Sequence, residues 1–434
     1  MKKLLAILLA LCMVLSLAAC GGSEASPTTG APATAAPTAE SSDDEVVTLT
    51  LMRTGTPEVL REIFEPIIAE FEAQHPNIKI DMQDLGWGDA EKTLQTMSAS
   101  QTLPDLMYHL PATIFDLYEK GLILDLTDYV DDELKADMYP AMLEAGQYNG
   151  KQLMITCGAA SLIMWYNADL FEQAGLDPDA PPKTWDELLA ACEALSAIDG
   201  IAPMGIYASP AGGETSFFFE SLFTTQIGGS AWDPETNSYV YDTEEYKEDA
   251  IKTLQFIQDL TAYAQEGYVE TGRFASRTLL RDGKVAIVLD APNMANQVAD
   301  MLTDGTIRAA ALPAGDSGVQ STAINAGGWF IPTNCEHPDE AWTFLRFLME
   351  TENQFSHEKY GSVPITKSAA AKYTDEYMLN IIAGMETSYP EGIRIDTNAL
   401  WSITGEQLQL LMMGEQTAEQ TWENIAAEHG DIYE

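Results

Sequence analysis

Positive charge is what this chain has least of. Its 434 residues include 22 lysines and arginines against 67 aspartates and glutamates, a formal net charge of −45. A nucleic-acid binder needs a basic face, so that class is excluded. Anionic membrane surfaces and strongly anionic ligands are disfavoured by the same imbalance. The acids read as a solvated surface, with a cationic or Ca2+ ligand as the alternative. Cysteine is scarce too: Cys12, Cys20, Cys157, Cys192 and Cys335 are too few for a disulfide scaffold. Cys157 and Cys192 lie in the apolar runs "LMITCGAA" and "LLAACEAL" and read as buried thiols; at most one disulfide can form among the last three. The histidines, His75, His109, His337, His357 and His429, are scattered, with no two at metal-ligand spacing. "GLILDLTDYVDDE" is acidic but lacks the EF-hand glycine and ligand spacing. There is no H-E-x-x-H, P-loop or G-x-S-x-G, and no internal repeat. Neither a metal nor a cofactor is expected.

What is present begins with an address. Lys2 and Lys3 precede an apolar run over 4–17, which is short for a membrane span and suits a signal peptide. The run ends in Leu17-Ala18-Ala19-Cys20, which resembles the bacterial lipobox. That resemblance implies removal of residues 1–19 and diacylation of Cys20. Two acyl chains anchor durably where one is marginal. The alternative is a secretory peptide with an incidental cysteine. Residues 21–45 hold Gly, Ser, Ala, Pro, Thr and a few acids, with no aromatic or large aliphatic side chain. Such a segment has nothing to pack a core with and reads as a disordered tether. As a flexible coil it spans roughly 25–30 Å.

From Val46 the pattern becomes globular. "EVVTLTLM" is strand-like, and Thr56-Pro57 then starts a helix whose apolar positions recur at i, i+3, i+4. Pro66 falls inside this helix and is expected to kink or divide it. "IKIDMQDL" follows as a strand, so the order is βαβ and the class α/β. The alternation continues through "LPDLMYHL", "ATIFDLYEKG" closed by Gly121, "DGKVAIVLD" and "HPDEAWTFLRFLME". Capping boxes are expected at Thr184 with Glu187 and at Thr417 with Gln420.

In open α/β sheets, ligands bind beyond the carboxyl ends of strands. That rule nominates Arg53 and Thr54, Trp87 in "LGWGD", Tyr108 and His109, Asp290 and Asn293, and Trp329 in "NAGGWFIP". A sugar site wants aromatic platforms with a few polar groups, and the chain has 8 tryptophans and 17 tyrosines. Trp165, Trp342 and Trp422 lie in core-like or amphipathic runs and read as packing; Trp185 staples a helix start. Asp105 and Lys284 read as turn residues. Trp87, Trp329 and Trp401 neighbour glycines or loops and are expected at a cleft.

The set of motifs, including "FEPIIAEFEAQHPNIKI", "LYEKGLILDLTDYV", "LIMWYNADLFEQAGLDPDAPPKTWDELLAACEAL", "YGSVPITKSA" and "ITGEQLQLLMMGEQTAEQTW", resembles the extracellular solute-binding proteins of ABC importers. The resemblance is to the carbohydrate-binding family that includes maltose-binding protein. It implies a two-lobed, periplasmic-binding-protein-like fold, a hinge crossed more than once and a ligand cleft between the lobes. Lobe one is expected at 46–157 plus 309–362, and lobe two at 158–308 plus 363–434. The crossings fall near 157–158, 309–313 and 361–364. The resemblance supports Tyr108 and His109 as ligand-facing. It aligns the loop at Asp290–Asn293 with one where maltose-binding protein often has a tryptophan, here Asn293. It places Trp401 as an aromatic platform, with Arg394 and Asp396 at the mouth of its loop. An acid that maltose-binding protein carries aligns with Ala160, which argues against maltodextrin as the ligand but not against the fold. The implied partners are a small solute of the carbohydrate class, membrane permease subunits and the membrane itself, through lipid at Cys20 on the outer face; the protein is expected to be a monomer. Two rival readings are a binder of a non-sugar such as a polyamine and a lipid-anchored glycosidase. The second needs two carboxyls at a fixed separation, and among 67 acids no pair stands out.

Overall fold

The alternating strand and helix patterns build two large sheets, beside two two-stranded hairpins, in the computed structural model, which describes residues 46–54, 57–209, 214–356, 363–374, 376–385, 387–394 and 396–433. The leader, Cys20 and the tether lie outside the described residues. The first sheet contains β1 (Val47–Thr54), β2 (Ile78–Leu85), β3 (Leu106–His109) and β4 (Ile155–Ser161). The second consists of β5 (Ile163–Asn167), β6 (Ala202–Gly205), β7 (Val285–Asp290) and β8 (Ile307–Ala310). The chain then returns to the first sheet with β9 (Ala323–Phe330) and the short β10 (Tyr389–Pro390). The first sheet runs β10-β9-β3-β1-β2, with β4 also paired to β9; the second runs β8-β5-β7-β6. Strands β1, β2 and β3 are parallel, so their carboxyl ends meet along one edge. Strand β9 runs antiparallel to both β3 and β4.

The helices that matter below are α1 (Pro57–Gln74), α2 (Trp87–Ser100), α3 (Pro111–Glu119), α4 (Trp185–Leu195), α5 (Glu214–Ile227), α6 (Lys247–Thr261), α7 (Arg273–Arg281), α8 (Pro338–Leu348), α9 (Thr397–Met412) and α10 (Ala418–Tyr433). Both capping boxes form. The Thr184 hydroxyl and Glu187 amide pair, as do those of Thr417 and Gln420, with the reciprocal side-chain bonds in place. Pro66 does not divide α1. The residue lies on the exposed side of the helix, where the missing N–H of a proline is tolerated by a gentle bend rather than a break.

Strand periodicity decides the cores. Met164 and Tyr166 on β5, with Ile287 and Leu289 on β7, face one core with Trp185, Phe256, Leu408 and Trp422. Their neighbours Ile163, Trp165 and Val288 face another, which continues to Phe64, Phe71, Trp329 and Phe344 of the first sheet and its helices. Every residue of β7 is buried, as expected of a strand covered on both faces. Each large apolar side chain enclosed this way contributes roughly 1.5–3 kcal/mol. Trp165, Trp185 and Trp422 lie within these cores, and Trp342 packs partly buried against the second. Cys157, Cys192 and Cys335 are free thiols, and burial pushes each up to about 12.

The chain leaves the first sheet for the second at Leu162, just past the 157–158 expected, because the small residues after Cys157 still pair with β9. It returns between Ala310 and Ala323. Strand β10 keeps the chain in the first sheet beyond 361–364, and 357–362 lie outside the described residues.

Candidate ligand-binding site

At the shared edge of β1 and β3 the Arg53 guanidinium lies 3.2 Å from the Tyr108 ring centroid and donates to the Thr54 carbonyl at 2.5 Å. The Thr54 hydroxyl ties the two strand ends by donating to the Tyr108 carbonyl. The Tyr108 phenol reaches across Gly327; a Cβ there would come within 2.0 Å of its oxygen, so glycine is what the position requires. His109 is buried, and burial first, then the Arg53 charge, lowers its pKa to about 4, so the ring is neutral at pH 7. Trp329 departs from the expectation of a cleft aromatic. It is 0% exposed and meets Phe64 and Tyr108 edge-on, so it packs behind Tyr108. Trp87 is the first residue of α2; its side chain lies outside the described residues.

At the end of β7, Asp290 is enclosed and held by a two-pronged ion pair: Arg277 Nε and Nη2 donate to its two oxygens at 2.5 and 2.7 Å. The same Nη2 donates to Asn293 Oδ1 at 2.8 Å. Arg273, one turn earlier on α7, lies 3.3 Å from Glu214 and 3.7 Å from Asp290. Two cations and two anions thus neutralise one another here. Asp290 acts as the fixed acceptor of this group rather than as a free carboxylate, and Asn293 is its half-buried outer member.

The third part gathers around α9. Trp401 Nε1 donates to the Tyr239 hydroxyl at 3.0 Å, and the Trp401 carbonyl accepts from Ser216 at 2.6 Å. Tyr239 in turn donates to the Gly392 carbonyl, over which Trp232 closes so tightly that a Cβ on Gly392 would sit 2.1 Å from its ring. Arg394 is engaged by Asp396, by the Asn237 carbonyl and by the face of Tyr433. It therefore braces the loop before α9. Two buried acids stand beneath. Glu220 accepts from the Gly392 amide, and Glu391 accepts from the Asn325 amide at 2.5 Å. Burial and the Glu391 charge hold Glu220 well above the usual carboxylate range, and burial raises Glu391 to about 8.

Asn325 links these groups to the first sheet. It pairs with Ala160, and Gly327 pairs with Gly158, so these four residues share one face of β9 and β4. Gly158, Ala160 and Asn325 are half-buried, whereas Cys157, Ala159 and Ala326 on the opposite face are core. A floor of small residues thus runs between the Arg53–Tyr108 stack and the Glu220–Glu391 pair. Sequence reasoning missed Glu214, Arg273, Arg277, Glu220, Asn325 and Glu391. Only Glu220 carried a signal, as a lone acid inside the apolar run "FFFESLF".

Two α/β sheets between which the chain passes more than once define a two-lobed binding-protein fold. The chain belongs to the bacterial extracellular solute-binding protein family, whose model matches residues 57–355. It is similar to a binding protein of Brucella abortus (strain 2308), 25% identical over 388 residues covering 84% of this chain and 88% of that one. It is also similar to an ABC transporter extracellular-binding protein of Pyrococcus horikoshii, 26% identical over 361 residues, covering 82% and 80%. Among solved structures, the cyclic alpha-maltosyl-1,6-maltose binding protein of Arthrobacter globiformis superposes with a TM-score of 0.78 at 20% identity, covering 89% of this chain and 99% of that one. The chain is thus an ABC transporter solute-binding protein. Among the described residues, no helix is long and apolar enough to cross a membrane.

Proposed function

We propose that the protein captures a sugar or oligosaccharide between its lobes and delivers it, unchanged, to a membrane permease. The observation that carries this reading is the half-buried Trp401, fixed at its nitrogen by Tyr239, beside a floor of small residues that ends at the Arg53–Tyr108 stack. An aromatic platform facing hydrogen-bonding groups suits a ligand with apolar C–H faces and a rim of hydroxyls. Arg53, Tyr108, His109, Asn293 and Trp401 form the proposed contact set, with Trp87 beside the end of β2. Asp290, Trp329 and Arg394 support it from behind. The lobes are built on the two sheets, with the chain passing between them at Leu162, between Ala310 and Ala323 and again beyond β10, and they close by hinge motion. Cys20 carries the diacyl anchor and 21–45 the leash, which keeps the body at the outer face of the cytoplasmic membrane.

Calorimetry with a panel of mono- and oligosaccharides, with product analysis of each mixture, tests the reading. Saturable binding with no product is expected. Hydrolysis of any panel member at enzyme-like rates would overturn the reading of binding without turnover. Tight binding of spermidine with no sugar response would replace the sugar by a polyamine.

A further inference from the structure

Asp242 lies just past the hairpin that pairs Trp232–Asp233 with Ser238–Tyr239, and its side chain is 5% exposed. Two residues of α10 converge on one of its oxygens. His429 Nδ1 lies 2.9 Å from Asp242 Oδ2, and the Tyr433 hydroxyl donates to the same atom at 2.9 Å.

Each of the two leads on to Trp401. His429 Nε2 donates at 3.1 Å to the carbonyl of Leu400, one residue before Trp401 on α9. The Tyr433 hydroxyl accepts from the Tyr239 amide at 3.2 Å, and the Tyr239 hydroxyl accepts from Trp401 Nε1. Tyr239 also stacks on Tyr241, with ring centroids 4.5 Å apart. The first path holds the backbone that carries the indole. The second holds the plane of its ring. That plane needs holding, because the torsion that turns an indole has broad minima. A binding group serves only when kept within about 10–20° of its productive orientation.

We propose that Asp242 and Tyr433 are positioning residues for the sugar site. Neither touches the ligand; together they fix Tyr239, and through it the angle at which Trp401 meets a sugar ring. This rests on the sugar reading above.

The test uses Tyr433→Phe, which removes the hydroxyl and keeps the ring that faces Arg394, with Asp242→Asn as a second variant. The readouts are calorimetry with the sugar panel and the indole N–H resonance of Trp401 by NMR, assigned by its loss in Trp401→Phe. Without ligand, Tyr433→Phe should move that resonance and leave the one of the core residue Trp165 in place. It should weaken the best-bound sugar roughly three- to tenfold. In a Trp401→Ala background it should cost no further affinity, since it acts through that ring. Asp242→Asn should move the same resonance. An unmoved Trp401 resonance in both variants, unchanged affinity, or a full further loss in the Trp401→Ala background each overturns the proposal. Should the wild type bind no sugar, the sugar reading falls, and the resonance alone decides whether Asp242 and Tyr433 orient Trp401.

Discussion

Trp401 is restrained at both ends, by Tyr239 at its indole nitrogen and by Ser216 at its carbonyl, while its ring remains half-buried. Little folding energy rests on its exposed face, so a ligand contact there is separable from stability. Trp401→Ala should lower sugar affinity by about 1.5–3 kcal/mol, roughly ten- to a hundredfold, and shift the thermal midpoint by only a few degrees. Unchanged affinity by calorimetry would remove Trp401 from the site. Arg277 has the opposite profile, being buried and paired through two nitrogens to Asp290. Arg277→Met strands a buried carboxylate and should cost about 3–5 kcal/mol in urea denaturation; a loss below about 1 kcal/mol would show that Asp290 finds another partner. The end-of-strand rule makes Asp290 legible in the sequence. Arg277 is not legible, because its partner lies on a strand that only the fold brings alongside α7. Trp329 was misread for a related reason. Its flanking glycines suggested a loop, but Gly327 is demanded by the Tyr108 phenol and Gly328 by the close approach of the β4 backbone.

Among the elements, those written in local chemistry were legible: β-branched runs, i, i+3, i+4 stripes and two capping boxes. Strand β10 was not, since two residues carry no period, and with it went the place where the chain last leaves the first sheet. That segment matters because Glu391 follows it directly. Glu391 bonds Asn325 of β9, its neighbour Gly392 bonds Glu220 of α5, and Tyr239 and Trp401 pack above. The contact therefore joins the returning strand of one sheet to a helix of the other. A carboxyl near its ordinary value of 4.5 when unfolded and at about 8 when folded holds more protons in the native state between those limits. Its contribution to stability is complete below about pH 4.5 and is lost as pH rises through 8. His109 works in reverse: its lowered value costs stability as pH falls from 6.5 towards 4. Glu391→Gln isolates the first effect. Urea midpoints of the wild type should fall from pH 5 to pH 8, and those of the variant should stay flatter. Parallel profiles would mean that Glu391 ionises without consequence.

For the whole molecule, the charge of −45 and the cysteine at position 20 bear on one question the proposed anchoring raises, how an acidic body would be held beside an acidic membrane surface. Repulsion between exposed charges is screened within about 8–10 Å at physiological ionic strength. Under the proposed anchoring, a flexible leash of roughly 25–30 Å would exceed that distance and let the body sit beyond the repulsion. Nothing in the acidic composition offers an alternative hold, because electrostatic attachment to anionic lipid needs clustered lysine and arginine. Under the proposed anchoring, all membrane retention therefore rests on Cys20. Cys20→Ser, expressed as the full chain in a bacterial host that lipidates its secreted proteins, should leave the membrane pellet for the soluble fraction and keep its sugar affinity. The wild type should stay in the pellet through a high-salt wash, since acyl insertion is not screened. Retention of the serine variant after that wash would place the hold elsewhere in the chain, and residues 1–19 would then read as a secretion signal followed by an incidental thiol.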